Sequence, residues 1–153
     1  MSDNLTRRHA LALTLAAPLV LRLSPAGATP ETMRLAIEEF TRGAPVEQAA
    51  EGAIELKIPL LVENGNSVPL SVRVTSPMTP EDHVEEVAIF NEVNPLPDTV
   101  RFRFTPRSGT ARADTRIRLN GTQRVHAVAR LSDGRHIETY VHVTVTAPAC
   151  REV

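Results

Sequence analysis

The sequence predicts a mainly β chain, an immunoglobulin-like antiparallel β-sandwich with a short N-terminal helix. Three observations predict it. From Ile54 to Val145 apolar and polar residues alternate in steps of two, the period of a strand with one buried face. Asn64-Gly65, Asp133-Gly134 and the prolines at 77, 80, 95 and 97 divide that stretch into around seven short strands, as a sandwich requires. A different period, that of a helix, is confined to residues before Gly43.

The helix opens at Thr29-Pro30-Glu31. Thr29 suits the cap, Pro30 the first helical position, and Glu31 the positive end of the dipole. Met33, Ala36, Ile37 and Phe40 share one face, which is expected to dock on the protein's own sheet. Gly43 and Pro45 end it.

Ile54, Leu56 and Ile58 begin the strands, and Leu60-Leu61 precede the reversal signal in Glu63-Asn64-Gly65-Asn66. Val68, Leu70, Val72 and Val74 form the next inner row. Val84 to Phe90 is a strand, and Asn94-Pro95-Leu96-Pro97 a loop. Val100, Phe102 and Phe104 alternate with Arg101 and Arg103. Ala111, Ala113, Thr115, Ile117 and Leu119 alternate with Arg112, Asp114, Arg116 and Arg118.

The last hairpin fixes its own register. A two-residue Asp133-Gly134 turn would pair Ala129 with Glu138 and put the two apolar rows on opposite faces. A three-residue Ser132-Asp133-Gly134 loop with Gly134 left-handed pairs Ala129 with Ile137 and satisfies both rows. The longer loop is therefore expected. With one cysteine in the chain, no intersheet disulfide joins the layers.

Residues 1–28 read as a twin-arginine export signal. Arg7-Arg8 precede the apolar segment Ala10 to Val20, and Ala26-Gly27-Ala28 offers a cleavage site. The apolar segment is shorter than the roughly 20 residues of a membrane span. A periplasmic protein is expected, with a helix-plus-sandwich domain over 29–146 and a tail over 147–153. Removing Arg7, Arg8, Arg22 and Asp3 from 17 basic and 18 acidic residues leaves 14 and 17, a net charge of −3. That balance gives no reason to bind nucleic acid or an anionic membrane. With no tryptophan and five other aromatics, a base- or sugar-stacking platform is not expected.

No nucleotide-binding loop and no nucleophile elbow occur. In the predicted register His126 faces Tyr140 and Arg124 faces His142, on a sheet surface expected to be solvated. Neighbouring arginines oppose a metal there, so neither metal nor cofactor is expected. Glu81-Asp82-His83-Val84-Glu85-Glu86 reads as a solvated loop rather than an acid–base pair. Arg101, Arg103, Arg112, Arg116 and Arg118 are expected to pair with acids across strands.

Cys150 stands apart, three residues from the end. The final strand is expected to end near Thr146, leaving Ala147-Pro148-Ala149 as a stem. Four residues extend roughly 13 Å, enough to carry a thiol into another protein's site. Arg151 favours the thiolate, whereas Glu152 and the terminal carboxylate oppose it. From these residues alone, a reactive thiol and an inert one that only links two copies in a disulfide homodimer stand level.

Several segments resemble the SoxY family, the sulfur-carrying subunits of the bacterial thiosulfate-oxidising Sox system. They are Ile58-Pro59, Glu63 through Pro69, Ser76-Pro77-Met78-Thr79, Phe90 with Asn94-Pro95, Phe104-Thr105-Pro106 with Ser108-Gly109, Thr115 through Leu119, Thr122-Gln123 and Ser132-Asp133-Gly134. The resemblance implies a carrier without turnover of its own, in a heterodimer with a SoxZ-like subunit. It implies that a haem enzyme conjugates thiosulfate to the tail cysteine, and that a sulfate-releasing hydrolase and a sulfur dehydrogenase process the bound sulfur. By position Cys150 corresponds to the attachment cysteine. The family's Gly-Gly-Cys-Gly-Gly end is replaced by Pro148-Ala149-Cys150-Arg151-Glu152-Val153, a stiffer and more charged carrier tail. The alternative function is a non-carrier binding or scaffold module associated with a periplasmic oxidoreductase.

Overall fold

A computed structural model describes residues 27–150. The expected export signal lies outside the described residues except for Gly27 and Ala28, and so do Arg151 and Glu152 of the tail. One helix, α1 (Pro30–Thr41), precedes strands β1 (Val46–Gln48), β2 (Ile54–Lys57), β3 (Leu61–Val62), β4 (Val68–Val74), β5 (Val84–Asn91), β6 (Asp98–Arg103), β7 (Ala111–Ile117), β8 (Gln123–Leu131) and β9 (His136–Val145).

The strands form two packed sheets. The larger runs β1-β9-β8-β5-β6, with β3 also paired to β9, and the smaller runs β2-β4-β7. Fold class and helix are as expected, with nine strands among the described residues rather than seven. The additions are β1 and β3, two parallel ribbons on opposite ends of the same β9 edge. Segments of two or three residues carry no readable alternation, so the sequence hides them. Residues 64–67, expected to reverse the chain, carry it from the larger sheet to the smaller, since β3 pairs with β9 and β4 with β2 and β7.

The inner rows meet as their alternation requires. Val68, Leu70, Val72 and Val74 of the smaller sheet share a core with Val87, Ile89, Val125, Ala127, Ala129 and Val143 of the larger. Each fully buried Val or Leu of this kind contributes roughly 1.5–3 kcal/mol. The β8–β9 register is the expected one, Ala129 opposite Ile137, and Gly134 is left-handed at φ 85°.

Helix α1 starts in a reciprocal cap: Thr29 Oγ1 accepts from Thr32 N–H at 3.2 Å and Thr32 Oγ1 accepts from Thr29 N–H at 2.7 Å. It ends at Thr41, two residues before Gly43, with Arg42 taking the first left-handed position (φ 56°). Gly43 N–H then closes on the Glu38 carbonyl at 2.9 Å. The apolar stripe docks on the outer face of the larger sheet, where Met33 and Phe40 pack on Ala88, Phe90 and Val128. The Phe40 ring meets the rings of Phe90 and His136 edge-on, each at 5.9 Å between centroids. The Arg101 and Arg130 guanidinium groups lie 5.2 and 5.8 Å from the same ring, close enough for cation–π attraction.

This docking overturns the expectation of a solvated outer face. His126 and His136 are buried. The His126 ring stacks on its cross-strand neighbour Tyr140 at 5.2 Å, while Tyr140 and His142 stay exposed. The acidic run is likewise not one solvated loop. Glu81 and Asp82 are exposed, but Glu86 is buried in β5. Its carboxylate holds Arg130 at 2.9 Å and Arg103 at 3.4 Å. The arginines form no single stripe, because Arg101 and Arg103 lie on the larger sheet and Arg112 and Arg116 on the smaller. Arg103 reaches a cross-strand acid as expected. Arg101 and Arg112 instead pair within their own strands, with Asp98 and Asp114 at 2.7 and 3.0 Å. Arg116 donates to Ser67 Oγ at 2.7 Å.

Candidate functional site

Three segments converge at one end of the sandwich: the β3–β4 turn, the β7–β8 connection and the chain after β9. Gly65 lies between the other two. Its N–H donates to the Ala147 carbonyl at 2.8 Å, and its own carbonyl accepts from Leu119 N–H at 2.8 Å. Ala149 N–H then donates to the Leu119 carbonyl at 2.9 Å. A Cβ at Gly65 would collide with the Leu119 carbonyl oxygen and stand 2.7 Å from Ala149 N. Gly65 is not among the positive-φ residues, so contact and not backbone conformation requires glycine here.

The chain end is therefore docked, which corrects the expectation of a free stem. Thr146 N–H bonds the Val62 carbonyl at 2.9 Å. Pro148 is exposed, but Ala149 is buried. Cys150 N–H donates to Asn66 Oδ1 at 3.1 Å. Asn66 is itself aimed by Asn64, whose Oδ1 accepts from Asn66 N–H and from Asn66 Nδ2, both at 3.0 Å. The physical reason for docking is that three neighbouring backbone segments leave donors and acceptors that pair better with one another than with water.

Cys150 is exposed and stands on the wall of a groove of about 400 Å³ with Asn94, Leu96, Thr99, Arg118 and Asn120. The groove's backbone is set from beneath by a buried amide pair. Asn94 Nδ2 donates to the Arg118 carbonyl at 2.7 Å, and Asn94 Oδ1 accepts from Asn120 N–H and from Gln123 Nε2, both at 3.1 Å. Gln123 Oε1 in turn accepts from Val93 N–H at 3.0 Å. Next along, Glu92 receives Arg124 N–H at 2.9 Å and Arg124 Nε at 2.8 Å. Burial pushes the Glu92 carboxyl up, yet the Arg124 hydrogen bonds and charge outweigh it and hold the carboxyl below its ordinary value.

An accessible sulfur with an arginine and an asparagine, Arg118 and Asn120, lining the same groove can hold a small polar anion beside a thiol. Among the described residues no group of three His, Cys, Asp or Glu side chains could hold a metal ion, and no helix is long and apolar enough to cross a membrane. The attachment residue inferred from the sequence, Cys150, is on this wall. Asn66, Asn94 and Gln123 escaped sequence reasoning. Gln123 did leave one signal, a polar residue at the head of the inward row Val125, Ala127, Ala129.

The fold is similar to that of the sulfur carrier protein SoxY from Chlorobium limicola f thiosulfatophilum, with 24% identity and a TM-score of 0.64 over 75% of this chain and 92% of that one. It is also similar to a superoxide reductase (neelaredoxin) from Ignicoccus hospitalis, with 14% identity and a TM-score of 0.55 over 61% and 80%. A superoxide reductase from Nanoarchaeum equitans gives 14% and 0.55 over 65% and 100%. At these identities the likenesses are of fold. No curated protein sequence matches the chain. Residues 37–150 match the family described as sulfur oxidation protein SoxY.

Proposed function

The chain belongs to the SoxY family, and from that premise we propose that it is a periplasmic carrier that binds thiosulfate-derived sulfur covalently on Cys150 and presents it to partner Sox enzymes. The observation that carries the reading is the position of the chain's one cysteine, exposed on the wall of the Arg118 groove. Loading joins the cysteine sulfur to the outer sulfur of thiosulfate. The thiol and thiosulfate give a cysteine S-thiosulfonate, one proton and two electrons, and the electrons leave through the conjugating enzyme to its electron acceptor. Hydrolysis by the sulfate-releasing partner then adds water, leaving sulfate, two protons and a persulfide on Cys150. The sulfur dehydrogenase oxidises that persulfide further.

In this scheme the chain turns nothing over. Its work is to hold one sulfur atom in reach, in a heterodimer with a SoxZ-like subunit, after export by the twin-arginine route. The net negative groups of the adduct suit the Arg118 side of the groove. Thiosulfate-dependent reduction of a c-type cytochrome by the reconstituted partners tests the reading. Wild-type chain should support it and Cys150→Ala should abolish it. Full activity with Cys150→Ala would leave the non-carrier scaffold as the function.

A further inference from the structure

The docked tail gives the site a feature that the carrier reading alone does not contain. Between β9 and the cysteine the anchoring contacts join mainly backbone to backbone, Thr146 to Val62, Gly65 to Ala147, and Ala149 to Leu119, with a longer contact from Thr146 Oγ1 to the Val62 carbonyl at 3.4 Å beside the first. The last contact, at Cys150 itself, is made by a side chain, Asn66 Oδ1. The anchor before it secures Ala149, whose side chain is buried. The one at Asn66 is exposed and secures the cysteine directly. Without it the Cys150 N–H has no other acceptor among the described residues, and the Cα that carries the sulfur is free to turn away from Arg118 and Asn120.

We propose that Asn66 is a positioning residue for Cys150, a clasp on a tail that rests docked through residues 146–150 and is lifted only when that clasp opens. Asn66 is pre-set for the task, since both its N–H and its Nδ2 are tied to Asn64 Oδ1 and its own Oδ1 is left pointing at the tail. With the clasp closed the cysteine meets an incoming protein at the groove wall. With Asn66, Leu119 and Gly65 released, residues 147–150 form a four-residue arm of roughly 13 Å. Opening proceeds from the tip inward, because the exposed contact is the weakest and the buried Ala149 contact follows. The same tail thus has two reaches, and Asn66 sets the balance between them. The inference rests on the carrier reading for its purpose, but not for its test.

The test uses the full chain, as wild type, Asn66→Ala and Asn66→Asp. Amide hydrogen exchange at Cys150 and at Ala149 is read, with the melting temperature alongside. Asn66→Ala should speed exchange at Cys150 by about five- to tenfold, the equivalent of one lost hydrogen bond, with melting unchanged. Asn66→Asp keeps an acceptor for the Cys150 N–H but gives up the Nδ2 tie to Asn64, so its exchange should lie between wild type and Asn66→Ala. Rates at Cys150 unmoved in Asn66→Ala, or moved equally in Asn66→Asp, would overturn the proposal. Neither readout needs bound sulfur. A wild-type chain that fails to load thiosulfate while its exchange responds to Asn66→Ala therefore sinks the carrier reading and leaves the clasp standing.

Discussion

Gly65 and Leu119 lie in backbone contact, with the Leu119 N–H donating to the Gly65 carbonyl at 2.8 Å and no room between them for a Cβ. Through that contact the β3–β4 turn and the β7–β8 connection become one floor, and the chain end is laid across it. The placement of Cys150 is thus a property of the sandwich and not of the last few residues alone.

Gly65→Ala should consequently act at a distance from its own turn. The added methyl forces the turn, Leu119 and the tail apart, which overpacking data place at about 1–3 kcal/mol. Chemical denaturation should show that loss, and exchange at Ala149 should quicken with it. A fully stable Gly65→Ala protein with a protected Ala149 amide would contradict the close approach.

Asn94 is the second support of the groove. Asn94→Ala removes the side-chain partners of the Arg118 carbonyl and the Asn120 N–H, and one of two acceptors of Gln123 Nε2, which keeps the Gly121 carbonyl. Leaving buried polar groups unpaired costs about 1–3 kcal/mol for each that water does not reach. Asn94→Asp keeps both acceptor bonds but sets a buried carboxylate oxygen against the Arg118 carbonyl, so it should also destabilise. Denaturation midpoints unchanged from wild type in both variants would count against this support.

Phe40 anchors α1 between Phe90, His136 and two guanidinium groups. Truncation to Ala should cost about 3–5 kcal/mol and undock the helix, seen as new proteolysis after Arg34 or Arg42. Groove-side exchange at Cys150 should stay at its wild-type rate, since Phe40 does not touch that end.

His136 supplies a pH dependence. Burial lowers its pKa below the ordinary 6.5, Arg130 lowers it further, and Glu85 partly opposes them. The unfolded chain therefore binds the proton more readily than the folded one. The resulting stability is present above about pH 6.5 and is lost as the pH falls from there through the depressed folded value. His136→Phe should flatten that part of the stability profile. An unchanged slope in the variant would assign the effect elsewhere.

The sandwich, α1 and the β8–β9 register were legible because each leaves a periodic trace many residues long. Ala129 opposite Ile137 follows from two apolar rows that can agree in one way only. The burial of His126 and Glu86 was not legible, because alternation tells inner from outer face but not that α1 and Tyr140 cover the outer one. The tail shows the same limit. Pro148 and the charged end of the chain read as a projecting stem, whereas its path depends on Gly65 and Leu119, far away in sequence. Gly65 itself was visible as a turn residue, but the sequence gives the wrong reason for it. Backbone contacts between distant loops have no periodicity to read.

The most direct measurement is the intact mass of the chain, paired with its SoxZ-like subunit, after incubation with thiosulfate and the haem conjugating enzyme, followed by mapping of the tail peptide. The account predicts a reductant-labile thiosulfonate adduct on Cys150 and none on Cys150→Ala. An unchanged mass under conditions that load another SoxY carrier would contradict it.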